Sequence, residues 1–363
     1  MTEIEEITKD DYIQLAHFLS ENLKYDSGFW IERFDFLWDK NPAFDENQTR
    51  GLVLKKNQAI KGFIGKFPAK FMLNGIETTS SNGIGLVIDK SLRGSGLGKK
   101  LKDEHRKISD GQFIFATSSN EIALKINRSL GFKLLPRGIG DHNVYSMVSF
   151  DAIKSLKLYS YLFKNIKSKY LIYAIQEMPS LRKLVYHREV NIDNICTIQK
   201  TSSKFDIFWE NTKSIYKYTN IRDSSVIQWY LIPTKYSERE IYAEVKDDKI
   251  LGFIVVRMSH IKKILFMLSI DLWVDKRNAE GTIEKLIYYA AEMAKSKGCS
   301  LLLSPHFSQN LGKIYDKFGL IKLFGRKRND LYFALDYDDN YIEYNNSYFT
   351  YMSGDKFLGK KLI

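Results

Sequence analysis

Short apolar runs separated by polar turns mark the first 150 residues, and each run predicts an element. Ile4–Ile7 reads as a strand, and Asp10 or Asp11 caps a helix that runs to about Leu23. Leu52–Lys55 and Ile60–Phe67 are apolar runs either side of Asn57-Gln58, which predicts a hairpin. Glu77–Ile88 is a long central strand, followed by a helix over Leu97–Ile108. A short apolar strand near Gln112–Ala116 leads to a helix over Asn120–Leu130 that stops at Gly131. Phe132–Leu135 and Asn143–Phe150 are expected to close one mixed sheet. Strands alternating with helices in this way define an α/β fold with a mixed sheet.

The second half repeats this order. Trp38-x-x-x-Pro42 recurs as Trp229-x-x-x-Pro233, and Gly62-Phe63-Ile64 as Gly252-Phe253-Ile254. Val87-Ile88-Asp89-Lys90 is echoed by Trp273-Val274-Asp275-Lys276, and Leu130-Gly131-Phe132 by Phe318-Gly319-Leu320. Four matches in one order, each about 190 residues apart, predict two tandem α/β domains. We place them at residues 1–150 and 201–345. Residues 151–200 join them as a helical connector, because the stretch from Ala152 through Tyr159 and beyond is too apolar for a flexible linker. Residues 346–363 form a tail that periodicity does not assign.

At 363 residues the chain exceeds one ordinary core, which agrees with two domains. No apolar run reaches the roughly 18 residues of a membrane span. Met1–Glu6 is acidic and lacks the apolar region of a signal peptide, so a cytoplasmic location is expected. The only cysteines, Cys196 and Cys299, have no metal-ligand spacing, and no metal is expected. The net charge of +12 admits a polyanionic partner or a lysine-rich solvated surface. Nucleic acid is not expected, because the lysines are scattered and the one compact basic run, Arg326-Lys327-Arg328, is short.

The chemistry is concentrated at Arg93-Gly94-Ser95-Gly96-Leu97-Gly98, between the central strand and the next helix. Glycines at a strand-to-helix turn leave N–H groups bare at the positive end of a helix dipole, which suits an anion. Arg93 adds a planar fork for phosphate oxygens, and Ser95 supplies a hydroxyl donor or a helix cap. A Walker loop requires Gly-Lys-Ser/Thr, whereas Gly98 is followed by Lys99-Lys100. A dinucleotide fingerprint belongs at the first strand of its unit, and this loop follows several strands. The third reading is a coenzyme A loop, Arg-x-x-Gly-x-Gly, matched by Arg93, Gly96 and Gly98; the alternative is a glycine-rich turn without a ligand.

Together with Asn120-x-x-Ala123-x-x-x-Asn127-x-x-x-Gly131-Phe132, this loop resembles the two conserved blocks of the GNAT superfamily of acyl-CoA-dependent N-acyltransferases. Trp38-Asp39-Lys40-Asn41-Pro42 also looks like a segment found before the second strand of many members. The resemblance covers roughly residues 1–150. It implies that acyl-CoA is the co-substrate, held by Leu86, Val87 and Ile88, by Arg93, Gly94, Ser95, Gly96, Leu97 and Gly98, and by Asn120. It also implies direct attack of an amine on the thioester, with the oxyanion held by a backbone N–H of Leu86–Ile88.

Many members carry a tyrosine in the second block that protonates the leaving thiolate. Asn127 stands at that position and cannot supply a proton; Tyr315 occupies the corresponding place in the second half. The second-half turn, Lys276-Arg277-Asn278-Ala279-Glu280-Gly281-Thr282, lacks the paired glycines and puts Glu280 where a pyrophosphate would lie. The second domain is therefore expected to have a degenerate coenzyme A loop and to contribute to the acceptor site. Candidate catalytic groups are Asn127, Asn82 at the start of the central strand, Asp271 within the apolar run Leu268–Val274, and the loop histidine His142. His306, after Ser304-Pro305, is a further histidine for which a structural role is expected. The tandem form resembles bacterial nucleotide-sugar N-acyltransferases, which implies an amino sugar on a nucleotide diphosphate as acceptor. Trp209, Tyr216, Tyr218, Trp229 and Tyr230 are candidates to stack on its base, and Arg222 and Arg326-Lys327-Arg328 to meet its diphosphate. A peptide, aminoglycoside or polyamine acceptor and a non-catalytic acyl-CoA sensor are the alternatives. Peptide-bridge transferases that use aminoacyl-tRNA also have two such domains but need no coenzyme A loop. The pattern is compatible with a homodimer.

Overall fold

The computed structural model of the protein describes residues 2–23, 25–109, 113–116, 121–134, 144–151, 154–155, 190–235, 237–261, 263–324, 333–335 and 346–353. Strands in chain order are β1 (Thr2–Glu6), β2 (Gly51–Lys56), β3 (Ala59–Leu73), β4 (Ile76–Ile88), β5 (Phe113–Ala116), β6 (Lys133–Leu134), β7 (Val144–Ser149) and β8 (Ile195–Thr197). They continue as β9 (Tyr218–Asn220), β10 (Arg239–Lys246), β11 (Lys249–Ile261), β12 (Ile264–Val274), β13 (Leu301–Pro305), β14 (Ile321–Phe324), β15 (Phe333–Leu335) and β16 (Ser347–Tyr348). Most of the expected elements are present. Asn57 and Gln58 form the two-residue hairpin turn with φ of 51° and 63°, a geometry that asparagine tolerates.

Two mixed sheets carry the fold. The first runs β1-β2-β3-β4-β5-β15-β6, extended by β9 beside β3 and β16 beside β9. The second runs β8-β10-β11-β12-β13-β7-β14. One expectation is corrected here. Val144–Ser149 does not close the first sheet; it lies in the second, with Met147 opposite Leu303 on one side and Ile321 on the other. Its expected neighbours in the first sheet, β5 and β6, are instead paired by β15 from the far end of the chain. Ser146–Ser149 are all buried, so the pattern of β7 fixes a strand without fixing which sheet receives it. Neither sheet is built from one side of residue 150 alone.

The repeat matches occupy corresponding places in the two sheets. Gly62 pairs with Ile88 and Gly252 with Val274. Asp89 and Asp275 each accept the N–H two residues on, from Ser91 and Arg277. Gly131 and Gly319 end their helices with φ of 84° and 73°. In each case the next residue's N–H returns to a helix carbonyl, Phe132 to Asn127 and Leu320 to Tyr315.

Helices Tyr12–Asn22 and Ser27–Phe34, the latter continued by a π-helical turn over Asp35–Asp39, pack aromatic side chains against the first sheet. Asp26 caps the second of these through the Phe29 N–H at 2.9 Å. Asp223 does the same for helix Ser224–Leu231 through Val226 N–H at 2.8 Å. The two halves meet where Phe36 stacks on Trp229 at 4.8 Å and the Trp229 indole N–H donates to the Phe36 carbonyl at 2.9 Å. Among the described residues no helix is long and apolar enough to cross a membrane.

Candidate active site

The site is built where β4 ends. Strand β4 pairs in parallel with β5 only over Ser80–Asn82 against Phe113–Phe115. Beyond Asn82, Gly83–Ile88 has no partner on that side among the described residues. On its other side β4 stays paired with β3, with a bulge at Gly85-Leu86, where Gly85 takes φ of 67°. Among the described residues, an edge whose N–H and C=O groups have no strand partner is thereby presented to the opening between β4 and β5, with the Ile88 carbonyl taken up by Arg93 Nε at 3.0 Å. Leu86 and Ile88 are half-buried and Val87 is buried, packed on the core, so the backbone is left to face a ligand.

The Arg93–Gly98 turn sits at the mouth of this opening. Gly94 and Gly96 have φ of 83° and 82°, and a β-carbon on either meets nothing within 4 Å. These glycines therefore serve the backbone conformation and the free approach, not packing. Gly96 is the N-cap of helix Leu97–Lys107. The Ser95 hydroxyl donates to the Leu92 carbonyl at 2.6 Å, and Arg93 Nε to the Ile88 carbonyl at 3.0 Å. Arg93 thus ties the turn to the end of the open strand while its guanidinium remains exposed. The Asp89 carboxylate accepts from the Ser91 hydroxyl and N–H, which holds its pKa down to about 2. The turn presents N–H groups, a guanidinium and a helix N-terminus to solvent, the donor set of a pyrophosphate site.

Asn82 is buried at the inner end of the opening, in the last β4 residue paired with β5. Asn127 is buried on helix Glu121–Ser129, which packs Leu124 against Ile114 and Phe132. Asn120 and His142 lie outside the described residues, as do Arg326-Lys327-Arg328 and residues 156–189 of the expected connector.

Asp271 and Arg222 are placed differently from expectation. Both side chains are fully buried, and they pair with each other: Arg222 Nε to Asp271 Oδ2 at 2.9 Å and Nη2 to Oδ1 at 3.1 Å. The remaining guanidinium nitrogen donates to the Thr219 hydroxyl and Asn220 carbonyl, and the plane lies 4.2 Å from the Trp273 ring. Arg222 follows β9 of the first sheet and Asp271 lies on β12 of the second, so the pair joins the sheets and is not free for a diphosphate or an acceptor. Trp209, Tyr218, Trp229 and Tyr230 are also core residues. Tyr315 is fully buried, and burial pushes its pKa up.

His306 packs on Tyr315 and Gly312, its Nε2 2.7 Å from the Ser146 hydroxyl, and burial lowers its pKa to about 4.

The end of β12 has a different surface from that of β4. The turn Lys276–Asn278 leads directly into helix Ala279–Ser296 without a positive-φ glycine, and Glu280 is paired with Lys317. Tyr348 donates to the Leu272 carbonyl on the strand edge at 2.5 Å. A cavity of about 70 Å³ remains there, lined by Tyr216, Trp273, Lys276, Asn310 and Tyr348. A groove of about 760 Å³ lined by Lys235, Glu238, Arg239, His260 and Lys297 lies at the opposite end of β11 and takes no part in this site. Among the described residues no group of three or more His, Cys, Asp or Glu side chains is placed to hold a metal ion.

A feature that the sequence pattern does not single out lies behind the opening. Lys102 and His105, on the helix that follows the turn, point inward beside Lys66 of β3; all three are buried. A β-carbon built on Gly83 falls 2.5 Å from Lys102 Nζ and 3.4 Å from His105 Cε1. Burial lowers the Lys102 pKa to about 8 and also lowers that of Lys66. Burial, with the neighbouring lysines, drives His105 well below its ordinary value. The available signal is two basic residues on the same inward stripe as Leu101 and Ile108.

The chain shares its fold with solved N-acyltransferases of the GCN5-related kind. Saccharomyces cerevisiae N-myristoyltransferase with bound myristoyl-CoA superposes over 92% of this chain and 81% of its own, with a TM-score of 0.57 at 15% identity. A GCN5-related N-acetyltransferase from Anabaena variabilis matches over 92% and 72%, with a TM-score of 0.56 at 11% identity. A probable N-acyltransferase of unknown function from Enterococcus faecalis gives 0.57 at 9% identity, over the same shares. The likeness therefore extends well beyond residues 1–150. No family model matches the chain, and no curated protein matches it in sequence.

Proposed function

We propose that this protein transfers an acyl group from a coenzyme A thioester to the primary amine of a small acceptor. The observation that carries the reading is the open edge of β4 leading to two positive-φ glycines at a helix N-terminus. The pyrophosphate rests on the turn from Arg93 to Gly98 and the pantetheine pairs with Leu86–Ile88. The amine lone pair attacks the thioester carbon, a C–N bond forms, and the carbonyl electrons move to oxygen. A backbone N–H of Leu86–Ile88 holds that oxyanion, an interaction whose loss typically costs about 3–4 kcal/mol. Collapse breaks the C–S bond; the amine proton leaves through water and the thiolate takes up a proton from solvent. Asn127 orients the sulfur or a water and donates no proton. Holding both reactants in attack geometry accounts for about 7–11 kcal/mol of such catalysis.

In this reading the two sheets are tandem GNAT-like domains and the second is degenerate. Support comes from the Glu280–Lys317 pair and from Tyr348 on the Leu272 carbonyl, where the first sheet keeps its edge open. The acceptor we propose is an amino sugar on a nucleotide diphosphate. With Arg222 and most of the aromatics in the core, its support is the net charge of +12 and the tandem form. A peptide amine is the second reading, favoured by the likeness to N-myristoyltransferase over 92% of the chain.

The test is thiol release from acetyl-CoA and longer acyl-CoAs against nucleotide-linked amino sugars, free amino sugars and glycine-initiated peptides, with Arg93→Ala as control. Release with a nucleotide-linked sugar, lost in the control, supports the first reading, and release with peptides only supports the second. Coenzyme A binding with no release for any amine leaves an acyl-CoA sensor.

A further inference from the structure

Three basic side chains meet behind the opening of the first sheet. Lys66 is 4% exposed, Lys102 3% and His105 0%. Lys66 stands opposite Gly83 in the β3–β4 register, and the missing Gly83 side chain leaves the space that Lys102 Nζ fills. Among the described residues no carboxylate forms an ion pair with Lys66 or Lys102, although burial of Lys66 is partly offset by the charge of Glu6. Lys102 has the face of the Phe132 ring at 4.9 Å, and burial is the sole cause of its lowered pKa. Neither His105 ring nitrogen makes a hydrogen bond of good geometry, although the Gly65 backbone favours its charged form to a small degree. The adjoining wall is polar as well, since the Ser81 and Ser109 hydroxyls meet at 2.9 Å.

Buried basic groups with no carboxylate in direct contact are costly to keep, and an anion arriving at the site lowers that cost. The cluster's position says which anion. Gly83 is the first β4 residue beyond the pairing with β5, so the cluster lies at the inner end of the opening. Three residues separate it from Leu86, where the thioester is read, at most about 10 Å along the strand because the bulge at Gly85 shortens the path. A four- or five-carbon acyl chain covers roughly half of that distance, and a turn of the flexible four-carbon Lys102 stem toward the opening covers the remainder. A long saturated chain entering here meets two ammonium groups and an imidazole.

We propose that Lys102, with Lys66 and His105, binds a carboxylate at the far end of the transferred acyl group, so that the donor is the coenzyme A thioester of a short dicarboxylic acid. This rests on the coenzyme A site proposed above. The test uses the full chain and two stable thioethers, carboxypropyl-CoA and butyl-CoA, compared by calorimetry with coenzyme A itself. A charge-assisted contact predicts that carboxypropyl-CoA binds at least about tenfold more tightly than butyl-CoA. In Lys102→Met the preference disappears or reverses. Equal affinities in the natural protein overturn the proposal without any variant, as does a preference that survives in both Lys102→Met and His105→Leu. Coenzyme A carries no acyl carboxylate, so its failure to bind overturns the acyltransferase reading itself and the donor proposal with it.

Discussion

The Arg222–Asp271 pair gives a sharp test of how the two sheets are held together. Arg222→Met removes both hydrogen bonds to the carboxylate and leaves Asp271, fully buried, with the Leu272 N–H at 2.9 Å as its remaining donor. An uncompensated buried charge of this kind costs about 3–5 kcal/mol. Asp271→Leu should cost a similar amount, because the guanidinium then keeps only Thr219, Asn220 and the ring faces of Trp273 and Tyr348. The double variant Arg222→Met/Asp271→Leu removes both charges together. It should recover most of the loss, with a coupling energy of at least about 2 kcal/mol. Equilibrium urea unfolding, followed by tryptophan fluorescence and far-ultraviolet dichroism, measures all four proteins. Trp273, one of five tryptophans, lies against the guanidinium, so part of the fluorescence change comes from this contact. A single substitution that costs under about 1 kcal/mol, or a double variant as unstable as the sum of the singles, refutes the argument.

Four further outcomes are expected. Gly51→Ala should lose about 3 kcal/mol in the same unfolding assay, because φ is 125° and the new methyl falls 2.3 Å from the Ile64 carbonyl oxygen; a loss below about 1 kcal/mol counts against it. Gly96→Ala should cost about 1–2 kcal/mol in backbone strain and also weaken coenzyme A binding, whereas unchanged calorimetric affinity would remove the turn from the site. His306, with a pKa of about 4 against an unfolded value near 6.5, is neutral in the fold. Stability is therefore full above pH 6.5 and falls as pH drops toward 4, by about 2 kcal/mol after discounting partial exposure; His306→Gln should flatten that part of a melting-temperature profile. Lys102 has its folded pKa lowered from 10.5 to about 8, so stability is present above pH 10.5 and lost as pH falls through 8. Lys102→Met should then stabilise by up to about 3 kcal/mol at pH 7 and by nothing above pH 10.5, and equal gains at both pH values would contradict the assignment.

What could be read from the sequence was mostly local. The Arg93–Gly98 turn, the Asn57-Gln58 hairpin and the glycine stops at Gly131 and Gly319 each depend on a few adjacent residues, and each is where the pattern puts it. The correspondence of Asn127 with Tyr315 is legible for the same reason, since both carbonyls accept the return bond of a helix cap. Partnerships across long separations are not legible. Asp271 is polar in an apolar strand because Arg222 waits 49 residues earlier, and nothing in its own neighbourhood says so. Val144–Ser149 reads correctly as a strand and wrongly as a member of the first sheet, because alternation names faces and not neighbours. Lys102 and His105 are concealed by their helix, where lysines on the outer face make two inward basic residues look ordinary.

The exchange of β7 and β15 has a consequence for the growing chain. The first sheet needs Phe333–Leu335 between β5 and β6, yet the ribosome makes Lys133-Leu134 long before it reaches them. At about 5–20 residues per second, the intervening 200 or so residues take on the order of 10–40 s. Throughout that interval β5 and β6 stand apart with unpaired edges beside the turn that would hold a pyrophosphate. The nascent chain is then a candidate for chaperone attention at a defined place, and a message truncated before residue 333 yields a first sheet that lacks its closing strand, with the Arg93–Gly98 turn intact and nothing to hold its far wall.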